Sequence, residues 1–387
     1  MLLWGSLDSI CFFGYEKKKI IGFDMSKELS VYVHFLYCKS RCPYCDFFRG
    51  IMPKNFDEEE YVAGIIKGID YAKTLSGKRD IKSVFFGGGT PSLLSDRSVG
   101  KILSYIDKCY GIKKDAEITI EANPNTFEIE KFLKFEASGV NRLSLGVQAL
   151  NEKNLKVLGR THSLDDAKRA MDLGVEVFDK FSVDLIYSLY GQKFDEWEKE
   201  VLEVIKRGVK HISLYQLTLE EGTVFHKKKI KEMPEDESVE FYKNTVELLR
   251  NNGFERYEVS NFSVDEYNQS VHNMVYWEGD DYLGLGKGAS GRLKNGNEIL
   301  ALQDGKIDEV LTSEERALEL VIMGFRIKKG ICFDEFFKHC GIEFFDFVDE
   351  KKVCDLIKDG FMDRSEERIW LTDEGFLVMN KIIYDLV

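Results

Sequence analysis

VYVHFLYCKSRCPYCDFF, residues 31–48, joins an apolar, β-branched run to a short loop that holds Cys38, Cys42 and Cys45. The spacing is C-x-x-x-C-x-x-C. Three thiolates so spaced can each hold one iron of a [4Fe-4S] cube and leave the fourth iron open to a small molecule, so the loop reads as a place of chemistry or ligand capture. Zinc is the competing reading. It asks for a fourth Cys or His close by, usually in a second C-x-x-C or H-x-x-x-H pair, and none follows. His34 falls in the strand-like SVYVHF, where a packing role is expected. The remaining cysteines, Cys11, Cys109, Cys332, Cys340 and Cys354, are scattered singly, which reads as small buried side chains and not as a disulfide framework.

Outward from this loop, short β-branched and aromatic runs alternate with helix-period stretches up to about residue 219. The strands expected are SVYVHF, KSVFF, EITIEA, RLSLGVQ, KFSVDLIY and HISLYQL. Between them lie amphipathic segments at residues 57–75, 95–110, 128–138, 163–174 and 195–208, several opening on Ser or Asp and closing on Gly, as capped helices do. Six strands with five crossovers predict an α/β fold with a parallel sheet, wound by right-handed connections toward a barrel. Eight strands close such a barrel, so six predict an incomplete (β/α)6 barrel, open on one side, with function at the C-terminal strand ends. The cysteine loop follows the first strand and sits at that end. The second strand runs into Gly87-Gly88-Gly89-Thr90-Pro91, where missing Cβ atoms allow close backbone approach to a ligand. The Gly-Lys-Ser/Thr of a phosphate loop is absent.

A chain of 387 residues, 44% hydrophobic and 31% charged, predicts one large domain with a smaller appendage. A net charge of -13 argues against a general nucleic-acid binder, and the short runs Lys17 to Lys19 and Lys227 to Lys229 read as solvated loops. Eight cysteines without a paired framework point to a reducing cytoplasm. Residues 1–24 are apolar first and basic second, the reverse of a secretory signal, and Asp8 interrupts a run too short for a membrane span. They are expected to be a loosely ordered extension or a start-site artefact.

The triplet spacing with Tyr44 just before the third Cys resembles the signature of the radical S-adenosylmethionine (SAM) superfamily. That resemblance implies SAM chelated on the open iron and its reductive cleavage to a 5′-deoxyadenosyl radical. It also carries SAM contact over to Gly88, Gly89 and Thr90 of the glycine-rich loop. Taken singly, Glu121, Gln148, Arg160 and Asp184 read as ordinary strand-end caps or salt-bridge partners. Together with Tyr32 and Tyr44 they resemble the SAM-contacting set of the branch that contains the oxygen-independent coproporphyrinogen III dehydrogenases. The likeness runs from about Val31 to the C-terminus, through GGGTPSLL, RLSLGVQ, DLIYSLYGQ, YEVSNF and YLGLGKGASG.

Within that branch the dehydrogenase carries a fourth Cys two residues after the third. Phe47 stands there, as in the heme chaperones of the HemW type. Those chaperones are also marked by H-N-x-x-Y-W, matched by His272, Tyr276 and Trp277, and the resemblance implies a haem ligand in His272 with aromatic packing beside it. Leu36, Tyr190 and Ser290 depart from the pattern, the last in a loop where relatives carry a His. Gly286 to Gly291 matches G-x-G-x-x-G by spacing, but a turn and not a helix follows, so dinucleotide binding is not expected.

The tail after Glu314 reads helix, strand-turn-strand, helix, resembling a winged-helix-like α+β module. Such modules often bind DNA, but the acidic balance here favours packing over the barrel opening or docking a protein. His339 and Cys340 are neighbours on a helix and point apart. The organisation expected is a radical SAM partial barrel over 25–255, a connecting segment with the haem motif over 256–312, and the C-terminal module over 313–387. The function expected is a cytoplasmic heme chaperone with a [4Fe-4S] cluster, SAM and haem, delivering haem to respiratory proteins, with transient membrane docking and a homodimer as further expectations. The rivals are a radical SAM oxidoreductase acting on coproporphyrinogen III or another tetrapyrrole, and a SAM-dependent methyl-transferring enzyme, which no added cysteine pair supports.

Overall fold

The computed structural model describes residues 27–387. The extension expected over residues 1–24 lies outside the described residues. Six parallel strands follow one another both in sequence and in space: β1 (Glu28–Phe35), β2 (Asp80–Gly88), β3 (Ile112–Ala122), β4 (Arg142–Gln148), β5 (Lys180–Tyr187) and β6 (His211–Gln216). Strands covered on both faces need apolar residues at nearly every position. Accordingly Val31, Val33, Phe35, Val84, Phe86, Ile120, Leu143, Leu145, Val183, Leu185 and Ile212 are all buried in one core. Each contributes about 1.5–3 kcal/mol by leaving water.

The crossover helices start where the sequence says they should. Asp57 and Ser95 accept the N–H of the residue three further on, and Ser163 with Asp166 forms a reciprocal capping box. Their buried faces, such as Val62, Ile65 and Ile69 on Glu58–Ser76, lie on the sheet.

β1 and β6 do not pair with each other, so the barrel stays open, as expected from six strands. Instead the sheet is prolonged at both edges. Asn261–Ser263 and Glu255–Arg256 add antiparallel to β6. On the other side β7 (Tyr282–Leu285) pairs parallel to β1, and an antiparallel meander follows through β8 (Ser290–Asn295), β9 (Glu298–Gln303) and β10 (Lys306–Leu311). Residues 256–312, read from sequence as a connecting segment, thus supply strands to both edges of the barrel sheet.

The helix Val271–Glu278 closes the barrel at the N-terminal ends of the strands. A buried charge network fixes the chain leading into it. The Arg142 guanidinium meets Glu117 at 3.3 Å and Ser182 Oγ at 3.0 Å, and donates to the Asn268 carbonyl at 2.9 Å and the Gln269 carbonyl at 3.3 Å. Lys180 joins Glu117 from the rim. This end of the barrel is its floor.

The C-terminal module has its own core, including Phe325, Phe333, Phe336, Phe344, Ile369 and Ile382, around a three-stranded antiparallel sheet. Arg256 fastens it to the barrel. Its guanidinium donates to Tyr242 Oη and Asp373 Oδ1, both at 2.8 Å, and lies 3.7 Å from the Phe376 ring centroid.

Candidate cluster and cofactor site

The cysteine loop leaves β1 and returns to it. Tyr37–Cys38 pairs with Gly50–Ile51, and Met52 N–H donates to the Cys38 carbonyl at 3.0 Å, so the loop is pinned at its neck. The glycine-rich segment after β2 packs directly beneath. Gly89 N–H reaches the Phe35 carbonyl at 2.6 Å, and Thr90 N–H the Tyr37 carbonyl at 2.9 Å. A Cβ on Gly89 would come within 2.6 Å of the Tyr37 carbonyl oxygen, and one on Gly88, at φ +108°, within 2.6 Å of the His34 ring. These glycines therefore let two strand ends touch, and the Gly88 N–H is itself taken by Glu121 Oε2 at 3.1 Å.

Above this junction opens a cavity of about 660 Å³, within the range of about 300–1,000 Å³ usual for small-molecule sites. Cys38, Cys42 and Cys45 line it as free thiols. N–H donors aim at the sulfurs: Arg49 Nε at Cys45 Sγ, 3.0 Å, and Arg160 Nη1 at Cys42 Sγ, 3.5 Å. Burial pushes the Cys38 and Cys45 thiols up, and the Thr90 hydroxyl at Cys38 and the Arg49 guanidinium at both pull the other way. Among the described residues no three His, Cys, Asp or Glu side chains close on a single metal ion. A [4Fe-4S] cube takes one thiolate at each of three corners and needs no such convergence, so the donor set fits the cluster.

Of the residues expected to contact SAM, Tyr44, Gly88, Gly89, Thr90, Glu121, Gln148, Arg160 and Asp184 all line this cavity. Gln148 follows a bulge at the end of β4 and adopts φ 71°, which turns the strand exit; Arg160 Nη2 holds the nearby Gly146 carbonyl at 2.8 Å. Tyr32 is not in the lining; its hydroxyl bonds His34 Nδ1 at 3.0 Å.

Two carboxyls sit at the cavity base. Burial, reinforced by Asp184, pushes Glu121 up to about 8, against the Gly88 N–H. Burial likewise pushes Asp184 up to about 6, against the Ser213 and Ser144 hydroxyls. Because the folded-state value lies above the ordinary 4.5, the protonated Glu121 stabilises the fold; that contribution is complete below the ordinary value and is lost as pH rises through about 8. Glu121→Gln is therefore expected to flatten the fall in melting temperature of the ligand-free protein between about pH 5 and 9, with a gain on the order of a few kcal/mol at the alkaline end. An unchanged pH profile would deny Glu121 this role.

The haem motif lies elsewhere. His272 is 1% exposed, in the floor, with Nδ1 bonded to Ser83 Oγ at 2.8 Å and Nε2 to Tyr276 Oη at 2.7 Å; its backbone N–H meets Glu117 Oε1 at 3.2 Å. Its ring stacks 5.1 Å from Phe85. Trp277 faces a separate hollow of about 230 Å³ shared with His339, Cys332 and Arg368 of the C-terminal module, and its indole N–H lacks a partner among the described residues. His272 and Tyr276 thus share no cavity with Trp277, and both imidazole nitrogens are engaged.

Sequence reasoning missed Arg49 and His162. Arg49 stands four residues after Cys45, a basic residue beside a thiolate loop, and that adjacency was the available signal. His162 lies in the cavity wall two residues after Arg160, its Nε2 buried without a partner, and burial holds the ring neutral with a pKa near 4.

Comparison with known proteins places the chain in context. Residues 32–204 match the Radical SAM superfamily and residues 311–378 the HemN C-terminal domain. The Heme chaperone HemW of Buchnera aphidicola subsp. Acyrthosiphon pisum (strain APS) is 33% identical, over 92% of this chain and 97% of that protein. The Heme chaperone HemW of Escherichia coli (strain K12) is 30% identical over the same shares. Radical S-adenosyl methionine domain-containing protein 1, mitochondrial, of Bos taurus is 33% identical over 94% of this chain and 88% of its own. Among solved structures, coproporphyrinogen III oxidase (HemN) from Escherichia coli superposes with a TM-score of 0.76 at 22% identity, covering 93% of this chain and 90% of that one, a likeness of fold.

Proposed function

The chain belongs to the HemW family of heme chaperones within the radical SAM superfamily, and on that premise we propose that it binds haem and hands it to haem-dependent respiratory proteins. Membership of the superfamily implies a [4Fe-4S] cluster and SAM. In this reading Cys38, Cys42 and Cys45 hold the cluster, and the cavity beside them takes SAM. When bound, the cluster supplies an electron and an iron corner at which SAM is chelated. The chain's own residues do the rest: Arg49 and Arg160 donate to the sulfurs, Glu121 and Asp184 offer acceptors to ligand hydroxyls, and Gln148 and Thr90 present polar groups from neighbouring strand ends. The observation that supports this reading most is the gathering of three free thiols, eight of the expected SAM contacts, Arg160 among them, and the Arg49 guanidinium in one cavity.

No helix among the described residues is long and apolar enough to cross a membrane. We propose transient docking at a membrane for delivery, from the cytoplasm, with a homodimer as the state tested alongside. Haem ligation by His272, with Tyr276 and Trp277 packed on the ring, requires the floor helix to free one imidazole nitrogen, Nε2 from Tyr276 Oη or Nδ1 from Ser83 Oγ.

The experiment is an anaerobic haem titration of the cluster-reconstituted, untagged protein followed by absorbance. Saturable binding near one haem per chain is expected. Absence of binding above background overturns the chaperone reading, and turnover of coproporphyrinogen III by the reduced, SAM-loaded sample would establish the oxidoreductase instead. His272→Ala read in the same titration locates the iron: lost binding with cluster content intact assigns it to His272, and retained binding with a lower melting temperature assigns the motif to the floor.

A further inference from the structure

The two ring nitrogens of His272 are not equivalent. Nδ1 meets Ser83 Oγ at 2.8 Å, and Nε2 meets Tyr276 Oη at 2.7 Å. Neither meets a carboxylate among the described residues, and a ring only 1% exposed is then neutral, with one N–H. The single hydroxyl hydrogen of Ser83 is donated to Ser30 Oγ at 2.8 Å. Toward the imidazole Ser83 can therefore only accept, which places the ring hydrogen on Nδ1 and makes Nε2 the acceptor of the Tyr276 O–H.

The contacts on the ring also divide by element. Ser83 and Phe85 stand on β2 and Tyr32 on β1, with the Phe85 ring stacked at 5.1 Å from the imidazole and the Tyr32 ring at 6.3 Å. All three belong to the barrel wall. Tyr276 belongs to the floor helix itself, one turn after His272, the spacing that brings side chains i and i+4 together. That helix is held unequally along its length. The chain entering it is fixed by the Arg142 guanidinium on the Asn268 and Gln269 carbonyls, and Ser270 N–H donates to Tyr257 Oη at 3.1 Å. Its last turn instead adjoins the hollow of about 230 Å³ lined by Trp277, whose indole N–H is buried without a partner among the described residues, and Glu278 pairs with the half-exposed Lys329. Arg316 holds the Gly279 carbonyl just beyond. The turn carrying Tyr276 and Trp277 thus has free volume beside it and an unsatisfied donor within it, the marks of the part that can shift.

Resting on the haem-binding reading, we propose that His272 ligates haem iron through Nε2, that Ser83 is the positioning residue that holds the ring by its Nδ1–H, and that the Tyr276 hydroxyl is a latch capping Nε2 until the last turn of the helix moves aside. A metal-bound imidazole commonly donates its other N–H to a fixed acceptor, and here the barrel wall presents that acceptor in advance. Binding exchanges the Tyr276 O–H···Nε2 bond for an iron–Nε2 bond. The bonds through Ser83 to Ser30 are kept.

The test follows haem binding to the untagged, cluster-reconstituted full chain under anaerobic conditions, by stopped-flow absorbance for rate and affinity and by resonance Raman of the ferrous complex for the iron–histidine stretch. Tyr276→Phe keeps the ring and removes the latch, so association is expected to be severalfold faster and affinity severalfold tighter, with the wild-type stretch. Ser83→Ala is expected to lower the stretching frequency, because the imidazole loses its acceptor and gives less charge to the iron, and to weaken binding about tenfold. Ser83→Thr retains the hydroxyl and is expected to retain the frequency. Cluster iron content and melting temperature identify folded variants, and a merely structural role for Ser83 would leave the frequency where it is. With stoichiometric binding by wild type, an association rate in Tyr276→Phe at or below that of wild type overturns the latch, an unchanged frequency in Ser83→Ala overturns the positioning role, and an unchanged frequency in His272→Ala overturns both. Each of these leaves the chaperone reading standing. Failure of wild type to bind haem overturns that reading as well.

Discussion

Cys42→Ser protein, reconstituted anaerobically with iron and sulfide, is expected to show background iron content and no cluster absorbance, and to have lost SAM binding with it. Each of the three thiolates holds its own corner of the cube, and no further Cys or His enters the lining except His162, whose Nε2 is buried. Serine keeps the volume of the side chain while removing the soft donor, so the loop should keep its fold through the bonds at its neck. Arg49→Met removes an N–H donated to Cys45 Sγ without removing a ligand, and a loss of about 10–100-fold in cluster retention is expected. Cys109→Ser, in a crossover helix remote from the cavity, is the control that keeps its iron. Full iron and sulfide content in Cys42→Ser would remove the loop as the seat of the cluster.

The second large effect is expected from Arg142→Met. Its guanidinium sits 1% exposed among Glu117, Ser182 and the carbonyls of Asn268 and Gln269. Removing it strands a buried carboxylate with only Lys180 for charge, and unpairs two carbonyls, for a cost of roughly 3–5 kcal/mol. Thermal melting and urea unfolding read the loss. Since Glu117 also receives the His272 N–H, the floor helix should loosen first, seen as faster amide exchange over residues 268–278. Replacing Glu117 by Leu in the same chain should restore part of the stability, because the stranded charge is then gone. Stability within about 0.5 kcal/mol of wild type in Arg142→Met would show the network to be dispensable.

The six barrel strands were legible because each is a run of Val, Ile, Phe and Leu bounded by turn residues, and the cysteine spacing is a local pattern that survives translation into three dimensions. The edge strands were not legible. Glu255–Arg256 and Asn261–Ser263 are two and three residues long, too short for periodicity to register, and Tyr282–Leu285 finds its parallel partner at the far end of the chain. His272 shows a different limit: its burial and its bonds to Ser83 and Tyr276 depend on groups brought together only by folding.

The pairing of β1 with β7 joins Ser30 to Tyr282, about 250 residues apart, and at about 5–20 residues per second the ribosome needs on the order of ten to fifty seconds to supply the partner. Throughout that interval the strand bearing the cysteine loop has β2 on one side and an open edge on the other. The β7 partner also brings Gly286, whose Cβ position lies 2.6 Å from the His34 carbonyl, so the last wall against β1 arrives late and fits closely. Iron and sulfide supplied to a nascent chain before Tyr282–Leu285 is made would meet a loop hung from an unfinished sheet, with one edge of β1 still unpaired.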